Sequence, residues 1–256
     1  MKKLTALLII LLSFPIVANA TSKIPYVWNK IDNGFSHTKY TFPIGDKEHS
    51  TIHAFKIDPK KYRLSIVKAK NEEKGATVEE FAKKSGAFLV INGGFFTPEH
   101  KSIGLLVKDG RILNEIHKTS WWSIFMLKND KPSIIRPDGF RMSRNIQMAI
   151  QAGPRLVING RIPKLKENIA MRSAIGVTDN GEIVIVITSG HGISMHELAR
   201  RMKNSSFEGG LNCKNAMALD GGSSSQIYVK MKNFEYSQRG LAKVTNGVTV
   251  LPKNNF

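Results

Sequence analysis

Asp220 closes the apolar run Ala216-Met217-Ala218-Leu219 and is followed by Gly221-Gly222-Ser223-Ser224-Ser225. A carboxylate brought by a strand into a glycine turn is suited to attack an electrophilic carbon or to activate water. Gly221 and Gly222 let a ligand approach the backbone, their N–H groups can form an anion-holding concavity, and Ser223 and Ser224 add hydroxyl donors. Arg172 stands in Met171-Arg172-Ser173-Ala174-Ile175-Gly176-Val177, just ahead of a second apolar run. Its planar fork there can grip a phosphate through two parallel bonds. Asn92 ends Val90-Ile91-Asn92 and precedes Gly93-Gly94-Phe95-Phe96. It can both donate and accept hydrogen bonds, beside two glycines that permit tight backbone approach. Donors and a nearby arginine are expected to keep Asp220 ionised at neutral pH. Taken singly, each motif also reads as a polar turn between strands, and Arg172 as a surface arginine.

Other residues carry less. His191 lies in Ser189-Gly190-His191-Gly192, a loop before a helix start, where it sits either at the rim of a site or on a plain surface loop. Trp121-Trp122 can stack on sugar rings, but adjacent strand residues face opposite ways, so at least one belongs to the core. Cys213 is the one cysteine, which excludes an intrachain disulfide, and it lacks a nucleophile's context. Ser223 and Ser224 fit no Gly-x-Ser-x-Gly elbow, no zinc-type His/Cys cluster occurs, and no cofactor motif is found.

These residues are joined to short β-like runs at 50–57, 62–68, 88–91, 104–107, 121–127, 156–158, 174–178, 183–188, 216–219, 226–229 and 247–251. Asp109-Gly110, Asn159-Gly160 and Asn180-Gly181 mark turns. Two helices are expected. Thr77 with Glu80 forms a capping box ahead of Gly86, and Ser194 with Glu197 forms another before Met195, Leu198, Ala199 and Met202 at helical spacing. Few helices among many strands indicate an α+β fold: a mixed, largely antiparallel β core with a few flanking helices, in a single domain.

The first twenty residues carry an address. Lys2 and Lys3 lead an apolar run to Val17, and Ala18-Asn19-Ala20 offers the small-x-small cut of a signal peptide. The expected product is residues 21–256, exported to the periplasm or the medium, without stable membrane insertion. The formal charge of +18, which falls by two with Lys2 and Lys3, indicates an anionic partner or a device for solubility. Outside the cytoplasm such partners are phosphate-bearing glycans, lipid headgroups and anionic wall polymers rather than nucleic acid. Nothing in the sequence sets the oligomeric state.

In order and spacing, the motifs resemble the phosphodiester glycosidase family, the family of the enzyme that uncovers mannose 6-phosphate. The resemblance spans about 88–251. It rests on Asn92-Gly93-Gly94-Phe95-Phe96, Gly153-Pro154 with Leu156, Arg172 with Ala174-Ile175-Gly176, Gly192, and Leu219 through Ser225. Arg239 stands where family members often carry an arginine, whereas Ser223 replaces a third glycine. The resemblance implies a hydrolase that cleaves a sugar-1-phosphodiester at the anomeric carbon. Asp220 would be nucleophile or base, Arg172 the phosphate holder, and Asn92 a partner for a sugar hydroxyl or the phosphate. Gly93, Gly94, Gly221, Gly222, Ser223, Ser224, Arg239 and His191 would bind substrate. The alternative keeps the fold without catalysis: a cationic module that binds anionic envelope polysaccharide or aids exopolysaccharide export.

Overall fold

The computed structural model describes residues 27–44 and 48–253; the expected signal peptide, residues 1–20, lies outside them. Seventeen strands build three sheets among the described residues. The largest runs, in spatial order, Asn29–Asp32, Phe35–Ile44, Glu48–Ile57, Ile183–Gly190, Ser173–Thr178, Cys213–Ala218 and Arg155–Val157. A second sheet holds Arg111–Asn114, Leu106–Lys108, Ile146–Ala152, Ser123–Lys128 and Lys131–Ile135. The third holds Phe234–Gln238, Ile227–Met231, Leu89–Asn92, Asn246–Pro252 and Tyr62–Lys68. Every described pairing is antiparallel, so the expected mixed character is not found, and the fold is β-dominated, with two α-helices among the described residues.

Side-chain alternation explains the layering. In Ile183–Gly190, Ile183, Ile185 and Ile187 enter a core shared by all three sheets. Val184 and Val186 point the other way, into a second core with Leu198, Ala199 and Met202 of the helix Met195–Lys203 (α2, the helix Val78–Ser85 being α1). Such a strand is buried on both faces, so its sequence is a continuous apolar run. Gly176 lets α2 come close: a Cβ there would lie 2.9 Å from Met202 Cε and 2.6 Å from Cys213 Sγ. The helix α1 closes the third sheet through Phe81, Ala82 and Val90.

Capping follows the sequence at α1 and half follows it at α2. Thr77 Oγ1 accepts from Glu80 N–H, Glu80 returns the bond to Thr77 N–H, and Gly86 ends the helix at φ +70°. Ser194 caps α2 by accepting from Glu197 N–H at 3.1 Å. The Glu197 carboxylate turns instead to Arg200 and Arg201, whose charges outcompete a neutral N–H. Both residues of Asp109-Gly110 and of Asn159-Gly160 have positive φ, as tight hairpin turns require, whereas at Asn180-Gly181 only the glycine does. No helix among the described residues is long and apolar enough to cross a membrane.

Candidate active site

The candidate site forms where the first and third sheets meet at their strand ends. Leu219 N–H donates to Ser173 O and Asp220 N–H donates to Gly93 O, both at 2.9 Å. Asn92, at the end of Leu89–Asn92, donates from Nδ2 to Asp220 O at 2.7 Å. Its Oδ1 accepts from Ser173 Oγ at 2.6 Å and from Gln226 N–H at 3.2 Å. Three chain segments are thereby fixed behind one carboxylate.

The Asp220 side chain faces a cleft of about 710 Å³ shared with Arg172, Gly221, Trp121, Lys164 and Lys166. Gly221 N–H donates to Asp220 Oδ1 at 2.9 Å and Ser224 bonds the same carboxyl, and both stabilise the ionised form. Burial outweighs them and lifts the Asp220 pKa above the ordinary 3.8. The donors pull the pKa down as expected, but no arginine adds to them and burial prevails in the net direction. Arg172 lines the same cleft, yet among the described residues it makes no ion pair with Asp220.

Arg172 is 6 % exposed and its guanidinium is oriented by main-chain carbonyls. Nε donates to Ile193 O at 3.2 Å and Nη2 donates to Asn168 O. Burial lowers its pKa. A Cβ on residue 221 would press on Met171 O at 3.1 Å and make only ordinary contact with Nη1 at 3.8 Å, so it is the backbone of Met171 that favours glycine there.

Other expected site residues fall in different places. Asn92 is fully buried with its amide engaged on both sides, so it positions Asp220 and does not reach the cleft. Gly93 and Gly94 are also buried and admit the chain itself. A Cβ on Gly93 would collide with Asn246 Oδ1, and one on Gly94 would lie 2.7 Å from Gln151 O. The anion-holding concavity is not formed by the two turn glycines, since Gly221 N–H is taken by Asp220 and Gly222 N–H by Met171 O. Gly222 has φ +60°, which favours glycine in that turn. Ser224 is buried against Asp220, while Ser223 is exposed.

Arg239 does not join this cleft. It is ion-paired with Glu79 at 3.7 Å beside the start of α1. His191 is half exposed and pairs with Glu48 at 3.3 Å, outside the cleft lining. Trp121 lines the cleft and Trp122 is buried against Phe95; the two sit just ahead of the strand Ser123–Lys128, so the bend there, not strand alternation, sends them to different sides. Cys213 is buried among apolar side chains, which push its thiol pKa up. Among the described residues no group of three His, Cys, Asp or Glu side chains is arranged to hold a metal ion.

The sequence reading passed over Ser173, Gln226, Asn246, Lys164 and Lys166. Ser173 is adjacent to Arg172 and was accessible from that motif. Asn246 accepts from Gly94 N–H at 2.8 Å through a contact between distant segments. Lys164 and Lys166 sit in an irregular polar segment with no local signature.

A family model described as phosphodiester glycosidase matches residues 85–251. The protein YigE of Escherichia coli (strain K12), described as uncharacterized, is 26% identical over 197 residues, which cover 70% of this chain and 75% of that one. The catalytic domain of zebrafish N-acetylglucosamine-1-phosphodiester alpha-N-acetylglucosaminidase, auto-inhibited by its pro-peptide, superposes with a TM-score of 0.67. That match has 15% identity and covers 89% of this chain and 88% of that one. A hypothetical protein from Synechocystis superposes with a TM-score of 0.60 at 16% identity, covering 90% of this chain and 64% of that one.

Proposed function

This chain belongs to the phosphodiester glycosidase family, and from that premise we propose that it is an exported hydrolase of sugar-1-phosphodiesters. The observation that carries the reading is the convergence of Asp220 and Arg172 on one cleft. In the proposed reaction the bond between the anomeric carbon and the phosphate oxygen breaks. The phosphomonoester leaves with the electron pair, and the hydroxyl of water ends on the sugar. Asp220 either attacks the anomeric carbon, to be displaced later by water, or takes the proton of the attacking water. A phosphate leaves readily, so a cleft in which Asp220 is the one carboxylate among the described lining residues is compatible with this chemistry.

Arg172, Lys164 and Lys166 supply positive charge where the departing phosphate gains negative charge. Trp121, 54 % exposed at the cleft, offers an aromatic face to a sugar ring. The expected export signal and the +18 charge favour an envelope glycan or glycolipid as the source of substrate. The test is a panel of sugar-1-phosphodiesters turned over in ¹⁸O-water. Equal amounts of free sugar and phosphomonoester, with the label in the sugar, are expected. Label in the phosphate would overturn cleavage at carbon, and a panel bound but never cleaved would favour the non-catalytic polysaccharide binder.

A further inference from the structure

A second cleft, of about 570 Å³, lies at the free edge of the third sheet, between the strand Tyr62–Lys68, the end of α1 and the hairpin that carries Lys108 and Leu113. It shares no lining residue with the cleft of Asp220. Arg63, Lys68, Lys84 and Lys108 surround it, and among the described residues no carboxylate lines it. Among the described residues Arg63, Lys84 and Lys108 make no ion pair. Lys84 is drawn in by donating from Nζ to the backbone carbonyl of Lys68 at 3.2 Å.

A second, independent feature marks the same place. Ser65 is 2 % exposed, lines the cleft floor, and its Oγ has no hydrogen-bond partner among the described residues. A buried hydroxyl without a partner is uncommon and calls for an explanation. Alternation along Tyr62–Lys68 accounts for its direction: Leu64 and Ile66 enter the central core, so Arg63 and Ser65 share the opposite face.

We propose that this cleft binds a phosphoryl group of a polyanion, through Arg63, Lys84 and Lys108 with the Ser65 hydroxyl beneath them. Several cations and a guanidinium fork suit a multiply charged tetrahedral oxyanion better than a single carboxylate. The site is separate from the hydrolytic reading and stands or falls without it.

The experiment is calorimetric titration of the full chain with tripolyphosphate. The wild type should bind, and Arg63→Gln/Lys84→Gln/Lys108→Gln should weaken binding about tenfold or more. Asp220→Asn should leave it unchanged, as should Lys60→Gln/Lys203→Gln/Lys232→Gln, which removes three exposed charges elsewhere. Ser65→Ala should weaken it several-fold. Competition by inorganic phosphate indicates a free phosphate as the natural source, and competition only by poly(glycerol phosphate) indicates a polymer. Equal loss in the two triple variants would reduce the effect to net charge and overturn the site. Citrate binding as tightly as tripolyphosphate would overturn the phosphoryl assignment.

Discussion

Asn92 Nδ2 donates to the backbone carbonyl of Asp220 at 2.7 Å, across 128 residues of sequence. The bond places the end of one sheet's strand, Asn92, against a residue two past the end of another's, Cys213–Ala218. Asn92→Ala would leave Asp220 O, the Ser173 hydroxyl and Gln226 N–H without this partner in a dry interior. Buried groups stripped of partners cost about 1–3 kcal/mol each, so a loss of roughly 3 kcal/mol in unfolding free energy is expected. Denaturant titration measures it, and a loss under about 1 kcal/mol would show that the network does not hold the site together.

Asp220→Asn keeps the side chain's shape and an acceptor for Gly221 N–H while removing a charge that burial disfavours. The thermal midpoint should be unchanged or higher. Turnover of a sugar-1-phosphodiester should fall by about three orders of magnitude or more, as expected when an essential nucleophile or base is removed. Undiminished turnover in a folded variant would remove Asp220 from the chemistry.

The same carboxyl gives a signed pH dependence. Its folded-state pKa is raised above 3.8, so the folded chain holds the proton more tightly than the unfolded chain. Stability attributable to Asp220 therefore falls as pH rises through the folded value. The stability gained by Asp220→Asn over wild type should be largest near neutral pH and vanish as pH approaches 3.8. Parallel unfolding series in the two proteins test this, and a gain that grows in acid would reverse the assigned sign.

Arg172→Lys retains a positive charge but cannot reproduce the bonds from Nε and Nη2 to Ile193 O and Asn168 O together with a bidentate grip on phosphate. Turnover should drop about 10²-fold or more, with the larger part in kcat if Arg172 acts on the departing phosphate. Steady-state kinetics separate this from a loss confined to KM, which would make Arg172 a ground-state binder only.

A buried histidine pair gives the opposite pH trend. His37 Nε2 and His53 Nδ1 lie 3.2 Å apart, and His53 stacks on Tyr236 with ring centroids at 3.9 Å. Burial, with Lys39 nearby, lowers both from 6.5 to about 4. The unfolded chain takes up these protons first, so stability falls as pH drops from 6.5 toward about 4. His37→Phe/His53→Phe should flatten that slope, and an equally steep slope would assign the acid loss to other groups.

Local structure was legible wherever neighbouring residues settle it. The Thr77 capping box, the Gly86 stop, the hairpins at Asp109-Gly110 and Asn159-Gly160, and the apolar run at Ile183–Gly190 all depend on contacts within a few residues or on strand alternation. Strands whose composition argues otherwise escaped. Ile146–Ala152 mixes two isoleucines with Met, Ala and Gln, which favour strands poorly, and is held as a strand by partners that pair with it on both sides. Lys131–Ile135 carries Pro132, which an edge position tolerates.

The sequence by itself determined which residue types gather at the strand ends: Asn92, Arg172 and Asp220 all belong to the meeting place of two sheets. Only the tertiary structure decided their roles. Asn92 became a strut because Ser173, Gln226 and Asp220 occupy every side of its amide. Arg239 went to Glu79, and Lys164 and Lys166 came to the cleft from a segment without a pattern. Burial, which raises the Asp220 pKa against its own hydrogen bonds, depends on the folding of the whole chain around it. Hydrogen-bond saturation and desolvation are set by atoms distant in sequence, so no local motif encodes them.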